Sequence, residues 1–480
     1  MENVMVQDKT KNFYMGFFGA VLPFIVFLGL ILFLSFTKEL SSKSAGAAAF
    51  ISVVVAFFTI KDKKEFSEIV YRALKSNILG ILFITFLLSG IMATALDKGG
   101  LINALVWGAT KLNLSNQFMP VAIFLVVTLI GLATGTNAGT IATTMPIMLP
   151  LGISMGCNPA LVMGAVVGGA MWGDNIAPIS DTTIVSALTQ ETDVAKVVKA
   201  RFKYAGAAGI ISIILYTIFG ITTAAPMDPN VTESIAQSAN PIALLLLLAP
   251  AFIIFLMLKG KDVVYSLLVA ASLSVFLGVA LGLINIGEVL TNEGILVSGF
   301  EGMMGIFPFF IFMFCLIETV TYGGIVEWIG NKAIKVSKTP RTAEIICAAI
   351  CSITYFVTTV HSVSVVISGP IVRSVMKNFN VDRARSANII DCVVSGLHGI
   401  LPHSAITMIA MGVAVSSNVM PEGFTPLDYI PYVFPSIFLL IIFYGAIITG
   451  WGRNEEMSQE EFEKLRAEEV ESLAVAELEN

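Results

Sequence analysis

Two carboxylates stand seven residues apart in an otherwise apolar stretch, Asp174 and Asp181 in GGAMWGDNIAPISDTTIVSA. Asn175, Ser180, Thr182 and Thr183 lie beside them and offer neutral oxygens of the kind a sodium ion accepts. A carboxylate set in hydrocarbon is costly, and such residues usually face a cavity or a pathway. Ionised, it attracts Na+; protonated, it releases it. That competition is all that an exchange of sodium against protons requires, and it makes Asp174 and Asp181 the candidate Na+ ligands. Asp181 has a second reading as the cap of the helix continuing toward Ala187. Thr136, Asn137 and Thr140 supply similar groups from an earlier segment, ATGTNAGTIATTMPIMLP. Glycine and proline in both segments break helices, and broken helices near a membrane midplane expose carbonyls and helix ends that can coordinate a small cation or a carboxylate. Serine and threonine are also ordinary helix-contact residues in membranes, so the cluster carries more weight than any member.

A second set follows. Glu318 lies in FMFCLIETVTYGG with no base within one turn, and reads either as functional or as a structurally paired acid. Asp391, in ANIIDCVVSG, is as readily a paired structural acid, and Lys98 beside Asp97 makes Asp97 interfacial. All three histidines, His361, His398 and His403, fall in this later region, with Ser404 next to His403. Histidine titrates near neutral pH and can carry a proton or, neutral, orient a substrate.

These residues need elements to hold them, and composition states which. The chain has 480 residues, 56% hydrophobic and only 13% charged, against roughly 25% charged in an ordinary soluble protein. Long apolar runs such as PIALLLLLAPAFIIFLML recur along almost the whole length. This is an all-α polytopic membrane protein, and the composition excludes a disordered, collagenous or nucleic-acid-binding chain. Twelve apolar spans and two polar-interrupted stretches, near 161–190 and 388–418, give fourteen expected crossings, with re-entrant hairpins able to replace a pair. Basic connections at 61–75, 196–203, 259–261, 332–341 and 373–385 contrast with 225–239, 285–305 and 419–429, which hold no Lys or Arg. The positive-inside rule puts the first set, and both termini, in the cytoplasm.

Two stretches align without a gap at an offset of 224 residues. Pro146 pairs with Pro370, Pro178 with Pro402, Ser180 with Ser404 and Thr183 with Thr407. Gly99 and Gly100 pair with Gly323 and Gly324, Ala109 with Ala333, and Lys111 with Lys335. Residues 61–77 count as inside by charge, whereas their counterparts at 285–301 count as outside. The expected organisation is therefore two inverted-topology repeats with broken or re-entrant helices, the arrangement of alternating-access transporters. Its parts are a cytoplasmic N-terminus (1–15), a first repeat (16–226), an inverted second repeat (240–450) and an acidic cytoplasmic tail (452–480). From Gly452 onward the tail holds ten of the 34 acids and three of the 28 bases, leaving a nearly neutral body of 24 acids and 25 bases. It reads as a solvated appendage whose helix opens with a capping box from Ser458 to Glu461.

The five cysteines read as core residues, with no disulfide framework or metal set. No Walker loop, HExxH motif or nucleophile elbow occurs, so neither direct ATP drive nor an enzyme is indicated.

GDNIAPISDTT, preceded by GTNAGT, resembles the signature region of the NhaC-type sodium/proton antiporter family of the ion-transporter superfamily. By that resemblance Asp174, Ser180, Asp181 and Thr182 inherit the family's ion-handling region. The sequence departs from the family pattern of Gly-Asp-Lys and Ser-Pro-Leu-Ser-Asp-Thr-Thr: Asn175 takes the lysine position, Ala177 the serine and Ile179 the leucine. Losing that lysine removes a positive charge beside Asp174 and bears on coupling or substrate charge. Family members include exchangers resembling malate/lactate antiporters. The expected function is a secondary antiporter of the plasma (inner) membrane that exports Na+ for H+ without a cofactor. The alternative is Na+- or H+-coupled transport of an amino acid or small carboxylate, with Asn137, His361 and His403 recognising the solute. The expected partners are Na+, H+ and the lipid bilayer, with no nucleic acid. A homodimer is the expected assembly only because large secondary carriers often need a fixed scaffold.

Overall fold

The computed structural model describes residues 9–111, 115–178, 180–224, 239–259, 261–325, 336–417 and 419–464. The first-half helices are α1 (Phe17–Phe36), α2 (Ser42–Thr59), α3 (Lys63–Leu74), α4 (Asn77–Lys98), α5 (Leu101–Lys111), α6 (Met119–Thr134), α7 (Asn137–Ser154), α8 (Pro159–Ile176), α9 (Asp181–Thr189) and α10 (Val194–Thr223). The second-half helices are α11 (Leu248–Leu258), α12 (Val263–Ala280), α13 (Ile295–Met304), α14 (Phe307–Tyr322), α15 (Pro340–Thr358), α16 (His361–Met376), α17 (Arg383–Ile400), α18 (Ala405–Ser416), α19 (Pro426–Tyr429) and α20 (Phe434–Thr449). Among the described residues nine helices are long and apolar enough to cross a membrane, or eleven if each of two bent pairs is one span. That is fewer than the fourteen crossings expected. α8 with α9, and α17 with α18, each fall within one apolar stretch. The proline-containing α7, the short apolar Pro241–Ile253 and the short α16 do not qualify as spans.

Burial sorts the helices into layers. α1 exposes Ile25, Leu32, Phe33 and Phe36 while burying Ala20, Phe24, Phe27 and Ile31, so one side suits lipid and the other the protein. α8 and α17 are buried on nearly every side and form the centre. α6 reaches α8 closely because their contact is glycine: a Cβ at Gly173 would meet the Thr128 carbonyl and Gly131.

Helix ends obey the sequence offset. Adding 224 to the bounds of α8 gives those of α17, and the last residues of α4 and α6, Lys98 and Thr134, map onto Tyr322 and Thr358. Both central helix breaks turn on a left-handed residue, Gly135 (φ 62°) in the first half and Thr359 (φ 56°) in the second. Contacts are reciprocal too: α9 lies against α16 of the other half, and α18 against α7. Ala109 and Lys111 belong to α5, whereas their partners Ala333 and Lys335 lie outside the described residues, as do residues 1–8, 225–238 and 465–480 of the expected termini and external loop.

The described part of the tail differs from a free appendage. The capping box is present, Ser458 Oγ donating to Glu461 Oε2 at 2.8 Å. Upstream, however, the chain is docked. Arg453 reaches buried Glu344 at 2.6 Å, Asp382 N donates to the Asn454 carbonyl at 2.9 Å, and Arg383 N donates to Glu456 at 2.8 Å. Glu344 is also held by Arg385 at 3.0 Å. A fully buried carboxylate needs such partners, and residue 453 supplies one of them.

Candidate functional site

Local sequence sets the two central breaks. Gly135 takes the left-handed conformation at no steric cost, and Thr136 then caps α7 by accepting from Gly139 N at 3.4 Å. The break therefore sets Asn137 on the first turn of α7, where its Nδ2 donates to Asp174 Oδ2 at 3.1 Å. Asp174 lies near the end of α8 and is 2% exposed; its Oδ1 has no hydrogen-bond partner. The Asn175 side chain, equally buried, has neither of its polar atoms partnered.

Asp391 of α17 is the second buried carboxylate, and its environment is the opposite. Arg201 of α10 sits 2.5 Å from Oδ2, Thr183 Oγ1 donates to Oδ2 at 3.1 Å, and His361 Nε2 lies 3.0 Å from Oδ1. Arg201 is fully buried, with Nη2 set against Asp391 and its other guanidinium nitrogens hydrogen-bonded. It also donates to Asn388 Oδ1 at 2.9 Å, to the Asn175 carbonyl at 2.5 Å and to Thr183 Oγ1 at 2.9 Å. This clasp joins the two halves, because Arg201, Asn175 and Thr183 come from the first and Asp391 and Asn388 from the second.

The remaining predicted residues divide. Ser180 and Thr182 are buried with their hydroxyls 3.0 Å apart. Asp181 is exposed at the first turn of α9, where Oδ1 accepts from Thr182 N and Oδ2 from Ser362 Oγ, both at 2.8 Å. Ser180, not Asp181, occupies the cap position. Thr140 turns back on its own helix, donating to the Thr136 carbonyl at 2.6 Å. Ser404 caps α18 and donates to the His398 carbonyl at 2.8 Å. His403 is wedged between Phe27 and Phe356, with Nε2 3.3 Å from the Phe356 carbonyl. Glu318 belongs elsewhere: it is partly exposed on α14 and pairs with Arg72 at 3.7 Å.

Sequence reasoning treated Arg201 as a topology marker and did not single out Asn388 or Tyr355, whose hydroxyl is 2.5 Å from His398 Nδ1. A signal for Arg201 was available. It shares a helical stripe with Val197, Ala205, Ala208, Ser212 and Tyr216, all buried. No group of three or more His, Cys, Asp or Glu side chains suited to a metal ion occurs among the described residues. The five cysteines are buried and free.

Comparison with known proteins identifies the family. The model of the Na+/H+ antiporter family matches residues 11–221 and 229–451. The arginine/ornithine antiporter ArcD of Halobacterium salinarum is 24% identical over 402 residues, covering 78% of this chain and 79% of its own. The Na+/H+ antiporter NhaC of Alkalihalophilus pseudofirmus is 21% identical over 410 residues, covering 79% and 83%. The malate-2H+/Na+-lactate antiporter of Bacillus subtilis is 23% identical over 209 residues, 42% of this chain and 43% of its own. With a polytopic helical body, a buried carboxylate at a helix break and a family match over nearly its whole length, the chain belongs to the Na+/H+ antiporter family.

Proposed function

We propose that this antiporter exchanges Na+ for H+ at Asp174. The observation that carries the reading is the inequality of the two buried carboxylates. Asp391 is neutralised by Arg201, whereas Asp174 accepts one hydrogen bond from Asn137 and keeps an oxygen unpartnered. An ionised carboxylate in that state is costly until a proton or a cation joins it, and only one can do so at a time. Asn175, Ser180, Thr182 and Thr183 supply neighbouring oxygens. Asp181, exposed and within electrostatic range of Asp174, attracts the cation on its way in. Thr136, Asn137 and Thr140 fix the opposing helix break, while His361 and Ser404 orient the second half. His403 and Glu318 serve the surrounding frame.

Alternating access follows from the repeat. The matched family stretches divide near residue 225, close to the boundary between the halves, and the basic loops are cytoplasmic in one half and counterparts of external loops in the other. In this reading the halves are inverted, both termini are cytoplasmic, the host is the plasma membrane, and Na+ leaves as H+ enters. A homodimer supplies the scaffold against which the mobile part rocks.

The relationship to an arginine/ornithine antiporter favours a second reading, in which a cationic amino acid occupies the same carboxylate. Against it, Arg201 is already ion-paired with Asp391 and donates to three further oxygens, so a substrate carboxylate competes with Asp391 for it. Proteoliposomes with an imposed Na+ gradient and an internal pH dye separate the two. Proton movement driven by Na+ alone, reduced at least 100-fold in Asp174→Asn, is the expected result. A response that appears only when arginine, ornithine or a carboxylic acid is added would replace this reading with the second.

A further inference from the structure

The two helix breaks are built on one plan, yet only one satisfies its own hydroxyls. In the first half Thr134 Oγ1 and Thr140 Oγ1 are 2.9 Å apart, and Thr140 also donates to the Thr136 carbonyl. Their counterparts 224 residues later are Thr358 and Ser364. Neither hydroxyl has a hydrogen-bond partner, and the same holds for Thr359 Oγ1 and His361 Nδ1. These four residues are 1%, 0%, 0% and 4% exposed. Helical Ser and Thr ordinarily bond back to the preceding turn, as Ser368 does to the Ser364 carbonyl at 2.7 Å. Thr358 and Ser364 forgo that option, and a buried polar atom left without a partner costs about 1–3 kcal/mol. Such atoms call for a ligand.

Polar contacts join this break to the end of α8. His361 Nε2 lies 3.0 Å from Asp391, and Arg201 spans from Asp391 to the Asn175 carbonyl next to Asp174. Ser362 Oγ donates to Asp181 at 2.8 Å. The His361 and His398 rings lie 5.4 Å apart at a 47° tilt, and these residues are the counterparts, 224 positions on, of Asn137 and Asp174, which hydrogen-bond to each other. Charge sets the sign of the missing partner. Asp174 and Asp391 against Arg201 sum to one negative charge, and one monovalent cation makes these three buried groups neutral. Hydroxyl oxygens suit a hard cation stripped of part of its water.

We propose that Thr358, Thr359 and Ser364 complete the coordination shell of the transported cation opposite Asp174, and that they set its size selectivity. The ion then lies between the two breaks, with a carboxylate from one half and neutral oxygens from the other. The proposal rests on the reading of Asp174 as the exchanging carboxylate.

The test is Na+- and Li+-driven proton exchange in proteoliposomes across cation concentration. Thr358→Val and Ser364→Ala should each raise the KM for Na+ at least tenfold with kcat changed less than threefold, and should alter the Li+/Na+ preference. Thr358→Ser should restore the wild-type values. Thr134→Val, which removes a hydroxyl already paired, should shift KM no more than twofold. Unchanged KM and ion preference in Thr358→Val and Ser364→Ala would overturn the proposal while leaving Asp174 its role. Full exchange in Asp174→Asn would instead overturn both.

Discussion

The first helix break carries an acid and the second carries imidazoles, although both follow the same backbone plan. Asn137 and Asp174 stand where His361 and His398 stand in the other half, and Gly135 turns the chain where Thr359 does. The second half has a carboxylate as well, Asp391, but it lies elsewhere on its helix and is tied to Arg201. The 224-residue offset thus relates two positions, and only one of them is electrically open. An exchanger needs that asymmetry. Two open carboxylates at this depth would repel each other and bind a second counter-charge, whereas two closed ones would bind nothing.

The comparison can be broken most severely at the clasp. Arg201→Met leaves Asp391 buried and uncompensated, which should destabilise the protein by about 3–5 kcal/mol. The thermal midpoint of the detergent-solubilised protein reads this. Adding Asp391→Leu should regain more than half of the loss, and no regain would mean that Arg201 does not act through Asp391. A smaller effect tests the backbone plan. Gly135→Ala should cost about 1–2 kcal/mol, because a side chain is placed in the left-handed region, and Thr359→Gly should gain up to about 1 kcal/mol. Equal shifts of the same sign at both positions would show that the two turns are not equivalent. The smallest effect belongs to Glu318. Its pair with Arg72 is partly exposed, so Glu318→Gln should change stability by less than about 1 kcal/mol and leave the Na+ dependence of exchange intact.

Much of the frame was legible in the sequence because its signals are local. Glycine and proline mark the breaks, and the 224-residue offset matches helix ends to the residue in several places, with Pro159 and Arg383 opening α8 and α17. Asp174 stood out because few acids lie in apolar runs. The clasp was harder to see. Arg201 sits in a basic stretch that reads as a cytoplasmic loop, yet α10 begins at Val194 and carries the side chain inward. The ion pair of Glu318 was hidden for the complementary reason. Its partner, Arg72, is 246 residues away, so no inspection of its own turn could reveal the pairing. Three of the fourteen expected crossings, 137–153, 240–258 and 361–376, are not credited as spans by length and composition: α7 is diluted by threonines and two prolines, Pro241–Ile253 is short, and so is α16.

The contact between Glu344 and Arg453 has a consequence for how the protein is made. The two residues are 109 positions apart, and Glu344 is completely buried in the finished molecule. A ribosome adding about 5–20 residues per second needs several seconds to travel that distance. Arg385 is made 41 positions after Glu344 and Arg453 only 109 after it, so α15 is synthesised ahead of both counter-charges, and Arg453 is the later of the two to exist.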